Sequence, residues 1–456
     1  MEKTHTINEQ TISDFITSNQ EAIVRDIARM IAVPSYQGDK PAEALHTILS
    51  IAESMGLSTH NEKNKIGWAQ LGESDGPYLA TIAHVDVVPP GDGWNSDPFK
   101  MEQKDGWLIG RGVVDDKGAA VLTLYLLKFL KEHDICLRYP VRTLFGTDEE
   151  TGMTDIDYYL KNFPAPAFCF TPDADFPICN GEKGHYDAEL RSKIGKNPEI
   201  ISIQGGFASN AVPGTAYATV LFSGNEWKPS PGVKAVLKNG RAELTATGKS
   251  GHASLPDGTI NAICLLVDAL LENGIGNPSE QAYLKFLKQF HAASDGSSLG
   301  IECHDEHFSS LTIIGGTIEM QNGRMVQTAD SRFPASISSE QITQALKKSA
   351  GDSAEIIQTS FAEPFYIEEG HAAIQACLQA YNQVMNRHEK PFTMGGGTYA
   401  RHFPCAVSFG PQPRDLVRPD CYSTEHGANE AIPLKDLLLA LKIYITAFLS
   451  LEQLSL

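Results

Sequence analysis

Positive charge is scarce in this sequence. Lysine and arginine together number 37 against 56 acidic residues, a formal net charge of −19. That balance argues against nucleic acid, whose phosphates need basic side chains, and against an anionic membrane surface. It does not name a partner, because acidic charge also serves solubility. Long apolar runs are missing too. No stretch approaches the roughly 18 apolar residues of a spanning helix, and the polar start Met1–Gln10 lacks the apolar core of a secretion signal. The eight cysteines include no CxxC pair. Scattered over a long chain, they read as reduced thiols of a cytoplasmic protein rather than as a disulfide framework. Internal repeats and low-complexity tracts are absent as well. What remains is an ordinary folded composition, 42% hydrophobic and 20% charged, over 456 residues. At roughly 100–200 residues per domain, that length suggests two or three domains.

The apolar pattern predicts an α/β protein. Spacing of three and four predicts helices over Ile12–Ala32 and, after a proline start, over Pro41–Met55. Short apolar runs at Gly67–Leu71, Tyr78–Ala83, Val141–Phe145 and Ala167–Phe170 predict strands, with helices over Lys117–Leu130 and Asp155–Leu160 among them. Lys117–Leu130 is apolar on most faces, which predicts burial. Strands alternating with helices imply a central, mostly parallel sheet flanked by helices. From about Asp187 the character changes. Strands at Tyr217–Phe222, Arg241–Ala246 and Leu311–Gly316 and helices at Asn261–Leu271 and Gln341–Ser349 predict a separate α+β unit. The first pattern resumes near Glu363, with helix Ala372–Asn386, strand Cys405–Phe409 and helix Leu434–Leu451. The expected architecture is a discontinuous α/β domain over 1–186 and 363–456, with an α+β domain inserted at 187–362.

Polar residues cluster just after the apolar strands: His84 and Asp86, Glu149 and Glu150, then Asp173. In open α/β sheets, ligands sit outside the carboxyl ends of the strands, so three strands deliver a histidine and carboxylates to one edge. Asp115 follows in Gly110–Gly118. The spacings 115 − 84 = 31, 150 − 115 = 35 and 173 − 150 = 23 are far too long for one helix face. Any site must therefore be assembled by tertiary structure. Imidazoles with carboxylates suit a divalent metal such as zinc, manganese or cobalt, and a carboxylate shared by two ions gives a two-metal clamp. Taken singly, each residue has a blander reading: a capping aspartate, a core histidine, a solvated acidic pair. Only the joint pattern points to chemistry.

That pattern sits in recognisable segments. His84–Asp92 (HVDVVPPGD) resembles the HxDxVPxGD segment of the metallopeptidases that include aminoacylase, carboxypeptidase G, desuccinylase and carnosinase. Gly110–Gly118 (GRGVVDDKG) and Asp148–Gly152 (DEETG) resemble two more of its segments. Thr171–Gly184 (TPDADFPICNGEKG) is similar to the bacterial dipeptidase V branch. Gly251–Asn261 (GHASLPDGTIN), Gly395–Arg401 (GGGTYAR) and His426–Glu430 (HGANE) resemble the lid and C-terminal segments, with alanine where HGPNE is usual.

The resemblance implies a two-domain fold whose inserted domain is a lid. It implies two divalent ions, with zinc favoured and manganese or cobalt as alternatives. Asp115 would be shared, His84 and Asp173 would hold one ion, and Glu150 and His426 the other. Asp86 would orient His84, Glu149 would be the general base, and His252 would donate to the oxyanion. The Asp115–Asp116 peptide is expected to be cis. Asn210, Arg332, Gly396 and Thr398 would meet substrate; for Arg332 a structural ion pair within the lid is an equal reading, and for Gly395–Thr398 a plain glycine-rich turn is the alternative. The implied activity is hydrolysis of dipeptides or very short peptides by a cytoplasmic monomer or homodimer. An N-acyl amino acid deacylase or desuccinylase with the same metal centre stays open, as does a non-catalytic metal- or peptide-binding relative.

Overall fold

The computed structural model describes residues 7–73 and 76–456. Residues 1–6, most of the polar start read above for a leader, lie outside the described residues. The chain forms two compact units. Unit 1 comprises Met1–Asn180, Ile367–Phe392 and Thr398–Leu456; unit 2 comprises Gly181–Tyr366 and Thr393–Gly397.

Unit 1 is built on a sheet whose strands run in the order Ser58–Glu62, Ile66–Leu71, Val141–Gly146, Leu79–His84, Phe168–Thr171 and Ala406–Ser408. The last four are mutually parallel, whereas the first two pair antiparallel at one edge. Leu79–His84 is buried along its whole length, as a central parallel strand covered on both faces must be. Helix Lys117–Glu132 packs against it and against helices Glu9–Ile31 and Leu434–Leu451. Within that helix every residue except Lys128, Lys131 and Glu132 is buried. This is why its apolar residues cover most faces instead of one stripe.

Unit 2 carries an all-antiparallel sheet in the order Val233–Lys238, Arg241–Thr247, Thr215–Leu221, Ile200–Gly205, Ile318–Gln321, Arg324–Phe333, Gly184–Ser192 and Ala354–Ala362. Alternate residues of Thr215–Leu221 and Arg241–Thr247 are buried, and both strands pack on helix Ala262–Glu272. One face of the sheet therefore holds the core of this unit. Helix Pro278–Phe290 opens with a full capping box between Asn277 and Glu280. Among the described residues, no helix is long and apolar enough to cross a membrane.

Candidate metal centre

The parallel strands of unit 1 end side by side. His84 is the last residue of its strand and pairs in register with Gly146, the last residue of Val141–Gly146. Glu149 and Glu150 follow that neighbour, and Asp173 follows Phe168–Thr171 on the other side. Asp115 comes from the loop that opens helix Lys117–Glu132. His426 comes from the loop before strand Ala431–Pro433, with its backbone in the left-handed region at φ 62°.

Asp115 lies between the two imidazoles. Its Oδ1 is 2.7 Å from His84 Nε2 and its Oδ2 is 3.1 Å from His426 Nε2. Asp173 Oδ2 lies 3.8 Å from His84 Nε2, and Glu150 Oε2 lies 3.3 Å from His426 Nε2. Two donor groups result, His84/Asp115/Asp173 and Asp115/Glu150/His426, each with ligand atoms within 4.8 Å of one another. Asp115 belongs to both. The Asp115–Asp116 peptide is cis, and Asp116 Oδ2 accepts from the His84 amide at 3.3 Å.

The electrostatics show what this pocket needs. Burial pushes the Glu149 carboxyl well up, reinforced by Asp173, and pushes Asp173 up to about 8, reinforced by Asp115. Burial alone would lower His426, but Asp115 and Glu150 raise it to about 11. Acids that hold protons and an imidazole that holds its charge mark a surplus of crowded, half-buried negative charge. Glu150 Oε1 is in addition buried without a hydrogen-bond partner, a state that ordinarily costs about 1–3 kcal/mol. A divalent cation would satisfy that oxygen and reverse the local pKa logic. Imidazole and carboxylate donors fit such an ion.

The supporting contacts are more specific than the sequence suggested. Asp86 meets His84 Nδ1 through its backbone carbonyl at 3.0 Å, while its carboxylate Oδ1 stands 3.5 Å from the same nitrogen. That carboxylate accepts from the amides of Glu149 at 3.3 Å and Glu150 at 3.1 Å. Asp86 thus ties the histidine to the two glutamates. Asp155, buried near the start of helix Thr154–Asn162, accepts from the amides of Thr147 at 2.6 Å and Asp148 at 3.1 Å and from the Tyr399 hydroxyl at 2.6 Å. Asp155 and Tyr399 hold the turn that leads into Glu149, and sequence reasoning missed both. The only early signal was that Tyr399 sits in the GGGTYAR segment.

The remaining sequence-derived candidates make local contacts of their own. Asn210 and His252 come together in unit 2, where Ala211–Val212 pairs with Gly251–His252 and Ala253 N donates to Asn210 O at 2.9 Å. His252 Nδ1 and Ser254 Oγ are 2.7 Å apart. Arg332 is buried and forks onto Asp330, with Nε at 3.0 Å from Oδ1 and Nη2 at 2.9 Å from Oδ2. Its Nη1 donates to Gly395 O at 3.2 Å, beside Gly396. The Thr398 hydroxyl lies 3.0 Å from Ser408 Oγ and accepts from Ala400 N at 3.2 Å, capping the short turn Tyr399–His402.

Known proteins resemble this chain over nearly its whole length. The chain is 30% identical to the Beta-Ala-Xaa dipeptidase of Lactobacillus delbrueckii subsp. lactis, over 96% of this chain and 97% of that one. It is also 30% identical to the YtjP protein of Bacillus subtilis (strain 168), over 96% and 99%. In fold it is similar to human carnosine dipeptidase 1, with a TM-score of 0.60 and 14% identity over 98% of this chain and 100% of that one. The Saccharomyces cerevisiae di-peptidase Dug1p gives 0.62 and 14% over 98% and 99%. The sequence profile of peptidase family M20/M25/M40 matches residues 80–450, and the chain belongs to that family.

Proposed function

We propose that this protein hydrolyses the peptide bond of dipeptides or very short peptides at a two-metal centre on unit 1. One observation carries the reading: Asp115 stands between His84 and His426, and each donor group around it gains a further carboxylate, Asp173 or Glu150. His84, Asp115 and Asp173 would hold one ion, and Asp115, Glu150 and His426 the other. Zinc is the first choice, with manganese and cobalt allowed by the same donors. Bound ions would polarise the scissile carbonyl and lower the pKa of a water.

The chain's own groups do the rest. Glu149, half-buried beside the donors but outside both groups, takes the proton of the attacking water on its carboxylate and returns it to the leaving nitrogen. Asp86 holds the Glu149 and Glu150 amides, which fixes where that carboxylate points. The family resemblance supports His252 as donor to the oxyanion, and Asn210, Gly396 and Thr398 as substrate contacts. For Arg332 the fork onto Asp330 supports the structural reading over a grip on substrate. Eight free thiols fit a reducing compartment, the cytoplasm.

The dipeptide preference rests on relatives that carry dipeptidase names, the Beta-Ala-Xaa enzyme among them. Metal-loaded protein should turn over members of a dipeptide panel that includes β-alanyl dipeptides. Turnover of N-acyl amino acids alone would replace the dipeptidase reading with a deacylase. No turnover of either class would leave a binding protein.

A further inference from the structure

Two residues of the recognised segments have no place in the mechanism above, Arg111 of GRGVVDDKG and Glu430 of HGANE. They form a buried ion pair, with Arg111 Nη1 donating to Glu430 Oε2 at 2.6 Å and both side chains 1% exposed or less. Such pairs stabilise poorly on their own account because desolvation offsets the attraction. What this one touches is more informative than its strength.

Glu430 is wrapped by the loop that presents Asp115. Its carboxylate accepts from Gly112 N at 3.1 Å, Val114 N at 2.8 Å and Asp115 N at 3.2 Å. The wrap needs Gly112, whose φ is +90° and where an added Cβ would stand 2.9 Å from Val87 Cγ1. Arg111 reaches the other way. Its Nη2 donates to His426 O at 3.1 Å and to Pro90 O at 3.3 Å, and its guanidinium lies 5.3 Å from the centre of the Trp94 ring. The bond to His426 O holds the carbonyl of a residue whose backbone is left-handed. The pair therefore fixes the peptide of Asp115 and that of His426 in one frame, four residues before Glu430 along its own loop. His84 is held by other means, as the end of a buried strand and by Asp86 and Asp116.

We propose that Arg111 and Glu430 are positioning residues that set the affinity of the ion held by Asp115, Glu150 and His426 more strongly than that of the ion held by His84, Asp115 and Asp173, because both ions share Asp115 but only the first also depends on the His426 peptide. The proposal rests on the ligand assignment above, and the experiment separates the two. Metal-free protein is titrated calorimetrically with Co2+, wild type first. Fewer than two binding steps would defeat the ligand assignment itself. With two steps, His426→Ala identifies the step that depends on His426. Arg111→Lys keeps the charge but loses the planar fork, and Glu430→Gln keeps the shape but loses the charge and one acceptor. In both variants the His426-dependent step should weaken by about 10–100-fold, as expected for residues that orient a ligand without touching metal, and the other step, which shares only Asp115, by clearly less. Equal weakening of both steps, or no change in either, would overturn the proposal. Two chemically different variants guard against one of them failing to fold.

Discussion

Each unit gathers histidine and aspartate closely enough to hold an ion, yet the two clusters differ in what balances them. In unit 2 the antiparallel register sets Asp187 opposite Asp330 and His185 opposite Arg332. His185 Nε2 lies 3.0 Å from Asp187 and 3.3 Å from Asp330. Burial works against ionisation of Asp330, but the Arg332 guanidinium beside it holds the carboxyl below its usual range. The positive charge is built in. In unit 1, no lysine or arginine pairs with Asp115, Glu150 or Asp173 among the described residues; the partners are the two imidazoles. Donor types alone therefore do not separate a metal centre from a structural network. The missing counter-charge does, because closely grouped, half-buried carboxylates without one favour a cation.

The largest effect belongs to Glu149. Glu149→Ala should lower kcat by about 10²–10⁴-fold, the usual contribution of a general base, with metal content unchanged by elemental analysis. A loss of metal instead would make Glu149 a ligand. Next is Asp330→Asn, which removes the forked carboxylate partner of a buried guanidinium. It should destabilise the protein by roughly 3–5 kcal/mol in denaturant titration while leaving metal content intact. A loss of bound metal would mean that the unit 2 cluster is an ion site after all.

Acid should also act on unit 2 without any metal. Burial lowers the His291 imidazole to about 4 from 6.5, with Gln327 as its partner. The folded state keeps His291 neutral while the unfolded state takes up a proton. Stability present above pH 6.5 is therefore lost as pH falls toward 4, by up to about 3 kcal/mol. His291→Gln should flatten that slope in melts of metal-free protein between these values; an unchanged slope would assign it to other groups. The smallest effect is expected for Tyr399→Phe. It removes one donor from Asp155, a loss of about 1–3 kcal/mol, and should reduce kcat more than KM by loosening the turn before Glu149. A change in KM alone would place Tyr399 at substrate binding.

Much of unit 1 was legible because its signals are local. Helix Leu434–Leu451 has the bounds its apolar spacing predicts, and the acids stand just past the strands that carry them. The edge strand Ser58–Glu62, with sequence STHNE, carries no apolar pattern, and in the fold it is only partly buried. The antiparallel edge it forms was therefore not foreseen. In unit 2, helix Pro278–Phe290 escaped notice even though Asn277, Pro278 and Glu280 spell its start. Strands Gly184–Ser192 and Arg324–Phe333 were not recognised, so their register was out of reach, and with it the meeting of His185 and Asp330. Asp330 and Arg332, two apart on one strand, share a face, which was the one local hint of their pairing. Arg111 and Glu430 are 319 residues apart, and no spacing rule links them.

The central claim is that unit 1 holds two divalent ions through Asp115 and that unit 2 holds none. Metal content per chain, measured by elemental analysis after loading with zinc and exhaustive dialysis, tests it directly. The account predicts about two ions in the wild type, close to none in Asp115→Asn, and about two in Asp187→Asn. Retention of both ions by Asp115→Asn, or loss of one in Asp187→Asn, would contradict it.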